Sequence, residues 1–295
     1  MRPVLPPPVR PDVRRRRPRL VSLQVLPTLV TLGNVLAGFL ALSYLVDAAG
    51  SPGGREALWL KAAGAIFFGM VCDALDGRVA RLTGAASSFG AELDSLADMI
   101  TFGVAPALLA KSVVEVEFPG LPPRLSTVLA MVYVLGAALR LARYNVESQR
   151  VQEPGHVTRT FRGMPSPGAA GLPASLVLFR HEFADAAFPW LPWLFLVGTP
   201  VAGLLMVSRF AFPHVMNRWL TGARSPVTIL VLVVLLFLTL QHWEASLAGL
   251  FWAYAATGPV AAGVRALFRR GTAEGDEDDD EDVPVPGDVD EVGRS

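Results

Sequence analysis

Four aspartates, Asp73, Asp76, Asp94 and Asp98, fall within one short and otherwise apolar stretch, DALDGRVARLTGAASSFGAELDSLAD. Ionisable side chains flanked by membrane-like sequence are expensive to keep, so they mark a functional site. Four carboxylates gathered together repel one another, and a divalent cation relieves that repulsion. Oxygen donors without histidine favour a hard ion, Mg²⁺ or Mn²⁺. Cys72, the single cysteine, lies beside Asp73 and reads as a small packing residue; no intramolecular disulfide is possible.

The spacing says what must position these groups. Asp73 and Asp76 are three residues apart and Asp94 and Asp98 four apart, so on helices each pair shares a face. Between them, Thr83, Gly84, Ser87 and Ser88 read as a turn. Two helices are therefore expected to meet at a short loop, each presenting two carboxylates near its loop end. Gly77 follows Asp76 and Gly90 precedes Asp94, where bare backbone lets a bulky anion approach.

The surrounding chain reads as membrane. Of its 295 residues 52% are hydrophobic and 18% charged, the latter below the roughly 25% usual for soluble proteins; mean hydropathy is +0.43. The expected fold is an all-α, polytopic integral membrane bundle of about eight transmembrane helices, near 25–47, 58–81, 90–112, 124–144, 167–180, 190–208, 225–241 and 246–268, with six a possible count. Three regions are expected: a basic disordered segment 1–20, a transmembrane domain 21–270, and an acidic disordered tail 271–295. The formal net charge of zero is a cancellation, because the stretch 274–291 holds eleven acidic residues and no basic one, leaving 26 basic against 15 acidic elsewhere. The seven arginines of the first 20 residues suit anionic headgroups, and nucleic acid is not an expected partner. The N-terminal hydrophobic run is too long for a cleaved signal peptide and reads as a first span. With that end inside, Arg78, Arg81, Arg150, Arg159, Arg162, Arg209, Arg218 and Arg224 all fall on cytoplasmic loops. The four aspartates then lie at the cytoplasmic ends of spans two and three.

The pattern D-x2-D-G-x2-A-R-x8-G-x3-D-x3-D, filled by Asp73, Asp76, Gly77, Ala80, Arg81, Gly90, Asp94 and Asp98, resembles the signature of the CDP-alcohol phosphatidyltransferases at every position. The resemblance implies displacement at the phosphorus of a CDP-linked lipid by an alcohol, with CMP leaving. It implies two divalent ions, Mg²⁺ or Mn²⁺, held by Asp73, Asp76 and Asp94. Asp98 matches the family's last aspartate, assigned as general base and sometimes also as a metal ligand. Gly77, Ala80 and Gly90 would admit the nucleotide, Arg81 would neutralise pyrophosphate oxygens, and a homodimer is common in the family. Asn34, a polar amide among apolar residues, would contact the nucleotide or another helix.

Flanking segments narrow the resemblance. DSLADMITFGVAPALL (94–109), LPTLVTLGNVLAGFLAL (26–42, with Thr31, Asn34 and Gly38), LRLARYN (139–145) and FRGMPSPGAAG (161–171) are similar to the phosphatidylserine synthase branch, embedded in the cytoplasmic membrane of bacteria and archaea. Met99, Ile100 and Thr101 depart mildly from it. The branch implies CDP-diacylglycerol and L-serine as substrates and membrane lipid as surroundings. Serine is a small zwitterion whose carboxylate wants a cation, and Arg140 and Arg143 are candidates for it, with Ser95 as a hydrogen-bonding group. Another acceptor (glycerol 3-phosphate, inositol phosphate or choline) is the alternative within the same reaction. Divalent-cation transport is the competing use of the aspartates, but transporter sites sit near the midplane rather than at a membrane edge beside an arginine. The four histidines, His156, His181, His214 and His242, form no catalytic constellation, and no phosphate-binding glycine loop is present.

Overall fold

The computed structural model describes residues 21–83, 87–151, 163–183, 188–210, 212 and 241–275. The basic N-terminal segment, nearly all of the expected seventh span, the loop bearing Arg159 and Arg162, and the acidic stretch beyond 275 lie outside the described residues.

Helices account for the described residues almost entirely, and none of them is in a strand. α1 (Val21–Gly50) and α2 (Arg55–Thr83) form an antiparallel hairpin through a single 3-10 turn at Pro52–Gly54. The turn is closed by Arg55, whose Nε donates to the Ala48 carbonyl at 3.2 Å, satisfying an end carbonyl of α1. α3 (Ser88–Asp98), a π-helical segment (Met99–Val104) and α4 (Ala105–Glu117) form one continuous rod. α5 (Pro123–Val151) opens on a proline, whose fixed φ suits a first helical turn. α6 spans Ser166–Glu182, α7 Leu191–Trp193, a second π segment Leu194–Gly198, α8 Thr199–Val207 and α9 Trp243–Gly275.

Five helical stretches among the described residues are long and apolar enough to cross a membrane: Pro27–Gly50, Pro52–Ala80, Phe89–Glu117, Pro123–Ser148 and Trp243–Val264. Leu36, Phe39, Val46, Phe68 and Leu135 are exposed on these helices, as a lipid-facing surface requires. The molecule is a polytopic helical membrane protein.

α6 is the centre of the bundle. Every residue from Ala169 to Leu178 is buried, as expected of a helix apolar all round. On one side it meets α2 and α4 in a cluster that holds Trp59, Ile66, Leu109 and Val113. On the other it meets α5, α8 and α9 through Tyr133, Ala137, Ala202, Met206 and Ala255. Its entry is fixed by Gly163, at φ 96°. The Gly163 N–H donates to Phe210 O at 2.8 Å and the Met164 N–H to Leu205 O at 3.1 Å. A Cβ at 163 would fall 2.3 Å from Met206 O, so only glycine fits there.

The span expected near 90–112 is one rod, Phe89–Glu117, and it contains a π segment. Pro106 lacks the N–H that would bond to Phe102 O, and the Ala105 N–H reaches back to Ile100 O instead. The freed Phe102 carbonyl accepts from Tyr133 Oη of α5 at 3.0 Å. The second π segment likewise ends just before a proline, Pro200.

Candidate active site

α2 runs to Thr83, and Ser87 caps α3, its Oγ accepting from the Gly90 N–H at 3.0 Å. That places Asp73 and Asp76 on the last turns of α2 beside Asp94 on the second turn of α3. Donor oxygens of Asp73, Asp76 and Asp94 all lie within 4.8 Å of one another. Asp76 Oδ2 and Asp94 Oδ1 are buried without a hydrogen-bond partner. Three carboxylates this close, with buried oxygens left over, are stable together only with positive charge among them. The donor set, all oxygen and all anionic, fits a hard divalent cation.

Asp98 is not one of this trio but lies within electrostatic reach of Asp73 and Asp94. It is 8% exposed, and Asn34 of α1 donates from Nδ2 to its Oδ1 at 3.1 Å. Asn34 is itself fully buried, and its backbone carbonyl accepts from Thr101 Oγ1 at 2.8 Å. The helices come close enough for this because two positions carry no side chain. A Cβ at Gly38 would stand 2.4 Å from Thr101 Oγ1, and one at Gly69 would stand 2.4 Å from Thr101 Cγ2 and 2.9 Å from Asn34 Oδ1. Thr101, which in the sequence reads only as a mild departure, is the residue on which α1 and α2 converge.

A cavity of about 160 Å³ opens beside the carboxylates. Gly77, Ala80 and Gly90 line it, with Thr31, Asp76 and Asp94. Thr31 was assigned no role from sequence, and its place one helical turn before Asn34 is the signal for it. Asn34 is not among the lining residues; it faces Asp98. Arg81 stands in the last turn of α2, and its side chain lies outside the described residues.

The residues considered for an acceptor part company. Arg140 of α5 is half-buried, donates from Nη1 to Ser166 Oγ at 2.6 Å, and lies within electrostatic reach of Asp98 and Asp73. Arg143 is exposed and turns to the Val207 carbonyl, 3.4 Å away at the end of α8. Ser95 Oγ lies 3.1 Å from Ala91 O and 3.0 Å from Asn145 Oδ1, so its hydroxyl ties α3 to α5.

A family model described as CDP-alcohol phosphatidyltransferase matches residues 24–201. A Helicobacter pylori protein named CDP-diacylglycerol–serine O-phosphatidyltransferase is 34% identical over 76% of this chain and 85% of its own length. Proteins of the same name from Bacillus subtilis and Mycobacterium bovis are each 34% identical, over 65% and 64% of this chain. The match covers 92% of the Bacillus protein and 61% of the Mycobacterium one. The matched segment contains all four aspartates, the cavity and Arg140, and the chain belongs to the CDP-alcohol phosphatidyltransferase family.

Proposed function

We propose that this chain transfers the phosphatidyl group of CDP-diacylglycerol to the hydroxyl of L-serine, releasing CMP. The observation that carries the reading is the division of the aspartates. Three converge beside a cavity floored by small residues, and the fourth, outside that trio, has its carboxylate oriented by Asn34. The acceptor is inferred from relatives named for serine transfer and from Arg140, a cation beside the site.

Asp73, Asp76 and Asp94 would hold the metal, which we take to be two Mg²⁺ or Mn²⁺ ions. When bound, such ions neutralise charge on the pyrophosphate and on the departing CMP oxygen. The chain's own groups do the rest. Gly77, Ala80 and Gly90 leave room for the nucleotide against the backbone, and Arg81 pairs with pyrophosphate oxygens. Asp98 accepts the proton of the serine hydroxyl as the new oxygen–phosphorus bond forms and the bond to CMP breaks. Asn34 keeps the Asp98 carboxylate turned in one direction, so that the proton is taken without a prior rotation. Arg140 takes the serine carboxylate. The lipid tails stay in the bilayer throughout, and the site faces the cytoplasm of a bacterial cytoplasmic membrane, where serine and CDP-lipid meet. The working unit is a homodimer.

The test is CMP release by purified protein with CDP-diacylglycerol and Mg²⁺ or Mn²⁺, adding one alcohol at a time. Release with L-serine, with phosphatidylserine in the lipid phase, is the expected result. Release with a different alcohol alone would move the chain to another acceptor. Release that persists after exhaustive chelation would overturn the metal assignment.

A further inference from the structure

Arg140 has donors to spare. Its guanidinium offers five N–H groups in a planar fork. Among the described residues one bond is made, to Ser166 Oγ, and no carboxylate forms an ion pair with it. Its ionisable neighbours include Asp98 and Asp73 and also Tyr254. Tyr254 stands on α9, beyond residue 201 where the family match ends.

The placement of Tyr254 is built rather than incidental. Its ring lies over the first turn of α6: a Cβ at Gly168 would come 3.2 Å from Tyr254 Cε1. Phe212 backs the ring at a centroid distance of 5.6 Å. Gly168 is two residues after Ser166, so the phenol covers the same turn of α6 that anchors Arg140. Tyr254 is half-buried, and its hydroxyl makes no hydrogen bond among the described residues. Two donor groups from different helices thus meet at the first turn of α6 within electrostatic reach of one another, and Arg140 is within the same reach of Asp98 and Asp73.

We propose that Tyr254 joins Arg140 in a subsite for the carboxylate of the acceptor, with Ser166 as the residue that positions Arg140. This rests on the reading of the chain as a transferase to an alcohol. Two converging donors, one cationic and one neutral, suit a carboxylate with its two oxygens. A dianionic phosphate would call for a second cation, and among the described residues the next arginine of α5, Arg143, is turned away to Val207 O. The chemical class favoured is therefore a small zwitterion bearing a hydroxyl. α9, to which the family signature contributes nothing, becomes part of acceptor selection.

The experiment compares full-length wild type, Tyr254→Phe and Ser166→Ala by initial rates of CMP release over a range of L-serine and of CDP-diacylglycerol. Tyr254→Phe keeps the ring against Gly168 and Phe212 and removes only the hydroxyl. It is expected to raise KM for serine about tenfold, the loss of one hydrogen bond to a charged group, while KM for the CDP-lipid stays near its wild-type value. Ser166→Ala should give the same one-sided rise. A serine KM unchanged in Tyr254→Phe, or an equal rise in both KM values, overturns the subsite. Equilibrium binding of labelled L-serine to the same proteins separates the two levels of inference. A wild type that binds serine, more weakly when Tyr254 is Phe, but releases no CMP keeps the subsite and removes the transfer reading. A wild type that neither binds nor uses serine removes the subsite.

Discussion

The two ends of α2 carry charge in opposite states. At its first turn, Glu56 meets Arg180 of α6 at 3.1 Å. Arg180 also bonds Glu117 of α4 and lies over the Trp59 ring, 5.8 Å to the centroid. Trp59 in turn donates to Ser112 Oγ at 2.8 Å. That cluster joins three helices around one guanidinium, with Glu56 exposed to water. At the last turns of α2, Asp73 and Asp76 meet a further carboxylate, buried oxygens lack partners among the described residues, and Arg140 nearby forms no ion pair among them. The same helix thus carries an ionic clamp of opposite charges at one end and an electrostatic conflict of like charges at the other. A fold tolerates such a conflict where ligands resolve it, and this is the end we propose as the site.

The sharpest way to break this comparison is to remove one charge from each end. Asp94→Asn should reduce transfer by about 10³-fold or more, the equivalent of several kcal/mol of transition-state stabilisation. It should not lower the melting temperature of the metal-free protein, because it relieves repulsion. CMP release and thermal unfolding in detergent check both halves, and a destabilised Asp94→Asn would contradict the reading of the site as strained. Glu117→Gln should do the reverse. Breaking a half-buried pair while leaving Arg180 in place costs roughly 1–3 kcal/mol of stability, at the low end because part of the pair is exposed. Turnover per folded molecule should hold. Turnover that falls in step with Asp94→Asn would mean that the clamp belongs to the site.

The aspartate end was legible in the sequence because its chemistry is local. Asp73, Asp76, Asp94 and Asp98 lie in one segment, and helical spacing alone puts each pair on a shared face. The turn was legible too, since Ser87 is a capping residue by type. Asn34 announced itself as a polar group in an apolar span, but its partner, 64 residues away, did not. Which helices pack together depends on where side chains are absent, and Gly38 and Gly69 say nothing about Thr101 until the backbone is folded. The α6 span is short and bears Pro173 and glycines. In the fold those small residues are what lets it occupy the centre. The clamp was invisible for the same reason: Glu56, Glu117 and Arg180 are separated in sequence and read as ordinary loop-end charges.

Between the two ends lie contacts that should give smaller effects. Asn34→Ala leaves the carboxylates in place but frees Asp98 to rotate. Transfer should fall by about tenfold, in kcat rather than in KM for either substrate. Steady-state kinetics decide it, and an unchanged kcat would mean that Asp98 needs no orientation by α1.

The smallest expected effect tests how the π segment holds Asp98 in register. Pro106 frees the Phe102 carbonyl, and Tyr133 Oη occupies it. Tyr133 is fully buried, so Tyr133→Phe keeps the packing and leaves one buried carbonyl unpaired. The cost is about 1–2 kcal/mol, read as a lowered melting temperature. Activity should change less than in Asn34→Ala, because the side chain reaches the rod four residues beyond Asp98 and does not touch the aspartates. If Tyr133→Phe instead lowered kcat as much as Asn34→Ala does, the π segment would be setting the angle of Asp98 itself. Charge at the active end would then be positioned by the backbone defect as well as by the amide of α1.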